Sequence, residues 1–227
     1  VVEEALYRFV NEPFYNKGFV ISNTKKLSEW QKITLPPIKD KIIVSYMGTV
    51  QHLRGLDIAI KAMKYVDQNQ YQLQIVGVKP GSKIYTDFNK LIELYDLKNV
   101  DLINYLEDEQ KAFEYIYRSH IGIVPHRSTG LTETTVPHKL FMYMATGRPV
   151  LVSDVAPLSR IVHETKSGLV FKAGDSVSFA NQLKKLNSEE VLKEYSENAR
   201  LAAENKYNWS QDEKNLIKMY DSLFSNE

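Results

Sequence analysis

From about residue 41 onward, short apolar runs alternate with stretches of helical period, and several of the runs stop at glycine or proline. Ile42-Ile43-Val44-Ser45-Tyr46-Met47 is mostly apolar, partly β-branched, and stops at Gly48. A run that short with little alternation reads as a buried strand. Ile58, Ala59, Ala62, Met63 and Val66 then fall on one face of a helix over 57–66. Residues 72–76 are again strand-like and end at Gly77; Ile84, Phe88, Leu91, Ile92 and Tyr95 line a second helix. Strands over 100–103 and 121–124 flank a helix marked by Ala112, Phe113, Ile116 and Tyr117, and Pro125 closes the later one. A short helix over 139–146 follows, with Gly147 where a left-handed C-terminal cap belongs. Residues 149–153 and 169–171 give two more strands around a brief helix at 158–162. Helices over 176–186 and 188–205 come next. A last helix opens on Ser210-Gln211-Asp212-Glu213, the pattern of a capping box.

This rhythm predicts a doubly wound α/β fold with a mostly parallel sheet. Such sheets bind ligands beyond the carboxyl ends of their strands, where the strand order reverses. That rule singles out Gly48, Gly77, Tyr105, Pro125 and the loop after Pro125. The first forty residues lie outside the rhythm. They read as a helix over 1–10, a short strand over 18–21 and a break at Leu35-Pro36-Pro37. The expectation is the tail of a preceding unit plus a linker.

Composition narrows the function classes. With 29 Lys+Arg against 28 Asp+Glu the chain is nearly neutral, so no global charge points to nucleic acid or an anionic membrane. The absence of cysteine excludes disulfide frameworks, thiolate zinc sites and iron–sulfur clusters. Five histidines occur, none at zinc-ligand spacing, and no metal site is expected. No apolar run approaches the roughly 20 residues of a membrane helix.

Two loops carry candidate chemistry. Gly48-Thr49-Val50-Gln51-His52-Leu53-Arg54-Gly55 joins a strand to a helix. Glycine lets the backbone approach a phosphate, and Arg54 offers a bidentate cation. The loop is neither a P-loop nor a dinucleotide fingerprint, and an ordinary strand–helix turn with a surface arginine also fits it. The second is the Thr-rich stretch from Ser128 to Lys139. Its hydroxyls and amides could surround a diphosphate, with His138 and Lys139 adding positive charge; a surface loop with a threonine bias fits as well. The helix after it, with Leu140, Phe141, Tyr143 and Met144, reads as scaffold.

Residues 42–223 resemble the C-terminal, nucleotide-sugar-binding domain of a family 4 glycosyltransferase of the GT-B fold. The resemblance is carried by Tyr46-Met47-Gly48 through Arg54-Gly55-Leu56-Asp57, by Leu73 to Gly77, and by Ile121 to Pro125. The run Pro137-His138-Lys139-Leu140-Phe141-Met142-Tyr143-Met144-Ala145-Thr146-Gly147-Arg148-Pro149 to Asp154 is the most specific, followed by Ala156-Pro157-Leu158 and Gly168 to Phe171. It implies a Rossmann-like sheet with extra C-terminal helices. Residues 1–37 would be the remnant of an acceptor-side domain plus linker, 38–206 the donor domain, and 207–227 a helix packing back toward the N-terminal segment. A first residue other than Met fits a piece of a longer protein.

The resemblance also implies a site. Gly48, Thr49 and Arg54 would meet the donor diphosphate, together with Thr134, Thr135 and Val136, and with His138 and Lys139 behind them. Gly77, Tyr105, Leu106 and the position of Met142 would hold the base and ribose. The implied enzyme is retaining and needs no cofactor or metal: its substrate is a UDP- or GDP-linked sugar. Its acceptor, a glycan or a lipid-linked glycan, would bind the missing half. That half could also touch the inner face of a membrane from the cytoplasm. No catalytic acid or base is assigned.

The sequence departs from the family pattern in two places. Met142 stands where a glutamate ordinarily grips the ribose; eight residues earlier, Thr134 replaces a second glutamate, with Glu133 one position out of register. Thr49 stands where many members carry arginine. Losing one charged hydrogen bond costs on the order of 1.5–3 kcal/mol. A non-catalytic module of the same fold, acting as a sugar-binding, scaffolding or regulatory subunit, is therefore the alternative expectation.

Overall fold

A computed structural model describes residues 3–9, 11, 14, 18–30 and 33–224. Six strands form one fully parallel sheet: β1 Ile42–Met47, β2 Tyr71–Val76, β3 Val100–Ile103, β4 Ile121–Val124, β5 Val150–Ser153 and β6 Gly168–Phe171. Their order is β3-β2-β1-β4-β5-β6, so the chain reverses direction across the sheet between β1 and β4. That is the strand order of a Rossmann-like fold.

The central strands are buried on both faces, which is why they read as apolar runs rather than alternating ones. Leu151 points into one hydrophobic cluster with Tyr46, Leu73 and Ile123. Helices α2 (Leu56–Ala62), α3 (Lys83–Leu94) and α7 (Ser176–Leu183) cover that side. Val150 and Val152 point the other way, beneath α4 (Glu109–Tyr117), α5 (His138–Ala145), α6 (Ala156–Thr165) and α8 (Glu189–Asn205). Local chemistry sets several helix starts. Ser82, Asp108, Asp175 and Ser188 each accept a backbone N–H of the first turn that follows. Gly147, at φ 69°, closes α5 as expected. Arg148 N–H donates to Tyr143 C=O at 2.8 Å and Gly147 N–H to Met144 C=O at 3.0 Å, the paired bonds of a Schellman cap.

Tertiary contact overrides local expectation in three places. The helix expected over 57–66 stops at Ala62 and continues as a 3-10 turn, Met63–Tyr65. The strand expected over 18–21 does not form; Val20 C=O accepts from the Asn215 amide of α9 (Trp209–Phe224) at 3.3 Å, and the residues that follow bond to the same helix. Ser22 N–H donates to the Asp212 carboxylate at 2.9 Å, Lys25 C=O accepts from Trp209 N–H at 3.1 Å, and the Thr24 hydroxyl also donates to Asp212. The same contacts start α9 one residue early, so Ser210 lies inside the helix and the expected capping box is not its cap. At the N-terminus α1 spans Glu3–Phe9; residues 1, 2 and 10 of the expected helix lie outside the described residues.

Candidate functional site

The cleft begins with a mismatch in strand pairing. β1 pairs with β2 as far as Met47–Val76, but with β4 only at Val44–Ile121 and Ser45–Gly122. The two central strands therefore diverge at their carboxyl ends. The buried Tyr143 of α5 spans the gap: its hydroxyl accepts from Met47 N–H at 3.0 Å and donates to Ser45 C=O at 3.2 Å. Its ring fits because residue 122 is glycine; a Cβ there would stand 2.3 Å from the ring.

Beyond β1, Gly48 turns the chain at φ 125°, a conformation that favours glycine. A Cβ on Gly48 would lie 3.2 Å from the Lys139 Nζ, so the ammonium packs directly against this turn. Lys139 donates to the Tyr46 hydroxyl at 2.8 Å, and that hydroxyl donates to Thr49 C=O at 2.7 Å. Burial, aided by the Arg54 charge, lowers the Lys139 pKa to about 7.

Arg54 ends a single 3-10 turn, His52–Arg54, followed by left-handed Gly55. Gly55 is packed so closely on β4 that a Cβ would stand 1.9 Å from Pro125 O. Arg127 fastens the same loop. Its N–H donates to Leu53 C=O at 3.0 Å, its Nε to His52 C=O at 3.2 Å, and its Nη2 to both Asp57 oxygens at 2.8 and 2.7 Å. The Arg54 guanidinium reaches His126, with Nη1 3.1 Å from Nε2. His126 is 1% exposed, and burial together with Arg54 and Lys139 pushes its pKa down to about 3. Sequence reasoning missed His126, although the strand-end rule pointed at its neighbour Pro125.

These elements enclose a cleft of about 530 Å³. Of the expected site residues, Gly48, Thr49, Arg54, Thr135, Val136, His138, Lys139 and Met142 all line it, joined by Asn23 and Met47. Four others do not line it. Thr134 is buried, and its hydroxyl donates back to Gly130 C=O and Leu131 C=O at 3.0 and 3.2 Å. Gly77 serves the turn from behind: a Cβ there would lie 2.5 Å from Gly48 O. Tyr105 is 66% exposed, and Leu106 beside it is half-buried. Glu133 has another task. One oxygen accepts from the Ser128 hydroxyl at 2.5 Å and the other from Ala156 N–H, at the start of α6, at 2.9 Å.

Neither Arg54 nor Lys139 pairs with a carboxylate among the described residues, and the Arg54 Nε is buried without a partner. A cleft with two uncompensated cations can accept an anion. A second cavity of about 610 Å³ lies at the opposite end of the sheet, between residues 33–38 and α8. Its cations are already paired, Lys193 with Glu197 and Arg200 with Glu204. Among the described residues no group of three or more His, Asp and Glu side chains could hold a metal ion. No helix among them is long and apolar enough to cross a membrane.

Sheet order and cleft together define a Rossmann-like domain of the GT-B type. Residues 28–220 match the family described as glycosyl transferases group 1, and the chain belongs to it. The phosphatidyl-myo-inositol mannosyltransferase of Mycobacterium leprae is 31% identical over 207 residues, covering 88% of this chain and 52% of that protein. Among solved structures, sucrose-phosphate synthase from Thermosynechococcus elongatus is similar at a TM-score of 0.78 and 21% identity, over 99% of this chain and 57% of that one. Anabaena Alr3699/HepE in complex with UDP-glucose is similar at 0.70 and 16% identity, over 91% and 57%. The chain spans about half the length of the curated relatives it matches.

Proposed function

We propose that the chain is the donor-binding half of a retaining glycosyltransferase that moves a sugar from a UDP- or GDP-linked donor to a glycan or lipid-linked acceptor. The observation that carries this reading is the convergence of Arg54 and Lys139, without carboxylate partners among the described residues, on a cleft at the β1/β4 switch point. In sugar transfer from such a donor, negative charge grows on the departing nucleoside diphosphate. Fixed cations in a partly dry cleft stabilise that charge more in the transition state than in the ground state. Here the cations would be protein side chains, with Gly48 allowing the phosphates to approach the backbone and no metal ion required. Two similarities support the reading: one relative is a mannosyltransferase by name, and one structural neighbour is complexed with UDP-glucose.

The acceptor would bind a second half outside these residues, which alone would not turn over. That half would also supply any contact with the inner face of a membrane. Calorimetry with UDP, GDP and UDP-glucose tests the reading. Arg54→Ala should lower affinity roughly tenfold to a hundredfold, as expected for a lost charged hydrogen bond, with little change in Tm. Absence of binding at millimolar concentration in the whole protein would sink it. The buried thioether of Met142 on the cleft wall favours a second reading, a non-catalytic sugar-binding, scaffolding or regulatory subunit.

A further inference from the structure

We infer that His126 is a positioning residue for Arg54: a neutral imidazole that aims the guanidinium into the cleft without cancelling its charge. The inference rests on reading the cleft as a diphosphate site.

Arginine has a long stem, and the turn that carries Arg54 holds only its backbone. Gly55 and Arg127 fasten that backbone; neither is a hydrogen-bond partner of the guanidinium. His126 Nε2, 3.1 Å from Nη1, is its side-chain partner among the described residues. A guanidinium only donates, so the contact requires a lone pair on Nε2 and places the imidazole proton on Nδ1. Burial and two nearby cations both disfavour the imidazolium, so the ring stays neutral across the ordinary pH range.

The chemistry of the alternatives explains the choice of residue. A carboxylate at 126 would hold Arg54 more strongly, but it would neutralise the charge and compete with the ligand for the same donors. An apolar side chain would leave the Nη1 donor unpaired and the stem free to turn. A buried neutral acceptor fixes the direction and leaves the charge available.

The test is calorimetric titration of the full chain with UDP and GDP. His126→Phe should weaken nucleotide binding about tenfold, whereas His126→Gln, whose amide oxygen can accept from Nη1, should stay within about threefold of the parent. His126→Asp should weaken binding at least as much as Phe despite restoring an acceptor. In an Arg54→Ala background, His126→Phe should cost nothing further, because two residues acting as one unit are not additive. Parent-like binding by His126→Phe, or an equal loss with and without Arg54, overturns the inference. Should the phenyl variant fail to fold, equal affinities for the Gln and Asp variants overturn it instead. If Arg54→Ala itself binds as the parent does, the diphosphate reading of the cleft fails; if Arg54→Ala loses affinity and His126→Phe does not, only the positioning role fails.

Discussion

Lys139 donates a 2.8 Å hydrogen bond to the Tyr46 hydroxyl while its ammonium lies 4.1 Å from the centre of the same ring. A tyrosine is a weak counterpart for a cation: it offers a π-face and an oxygen, but no charge. Burial also keeps the Tyr46 phenol protonated, well above its ordinary range. Lys139 is therefore held in place but not neutralised, and the Arg54 charge adds to its discomfort.

A pH dependence follows. In the unfolded chain this lysine titrates near 10.5, and in the folded protein at about 7. Between those values the unfolded state holds the extra proton, so the contribution of Lys139 to stability rises with pH across that window. A bound diphosphate favours the ammonium and reverses the effect. At pH 8, UDP binding should take up protons, approaching about one per site, and affinity should fall as pH rises further. Titrations in buffers of different ionisation heat check this: identical apparent enthalpies count against it. Lys139→Met should abolish the uptake.

Met142→Glu puts a carboxylate at a position 3% exposed. The variant should melt several degrees lower, because a buried charge without full compensation is costly. If ribose hydroxyls reach this wall, UDP should nevertheless bind it more tightly than the parent. An unchanged Kd in calorimetry places the ribose elsewhere.

Tyr143→Phe removes the hydroxyl that serves Met47 N–H and Ser45 C=O. Met47 lies beyond the last β1–β4 pair, Ser45–Gly122, and the Ser45 C=O lies at that pair, where the strands begin to part. A loss of about 1–3 kcal/mol in urea unfolding is expected, the usual penalty for unsatisfied buried polar groups. A loss of a few tenths would mean that the strands close over the gap.

Glu133→Ala separates scaffold from ligand contact. Glu133 fastens Ser128 and the first amide of α6. The variant should lose on the order of 1 kcal/mol, as removal of a helix-terminal acceptor does, and keep its UDP affinity. A tenfold loss of affinity at unchanged Tm would instead make Glu133 a ligand group.

The sheet and most helices were legible because their signals are local. A central strand such as Ile121–Val124 is apolar throughout whatever its neighbours, and Gly147 caps α5 through its own backbone freedom. The loops at the strand ends were legible for the same reason. Their interior division of labour was not. Thr134 and Thr135 are adjacent and chemically equal, and both hydroxyls donate back to Leu131 C=O, yet Thr134 is buried in the loop and Thr135 lines the cleft. Local pattern is enough to specify a doubly wound α/β chain with Gly48, Arg54 and Lys139 in strand-end loops. It takes the packed sheet to rest Lys139 on Tyr46, 93 residues away, and to bring Arg54 to His126, 72 residues away. Periodicity is written in neighbouring residues, whereas the charge balance of a cleft depends on which distant side chains the folded sheet brings into reach.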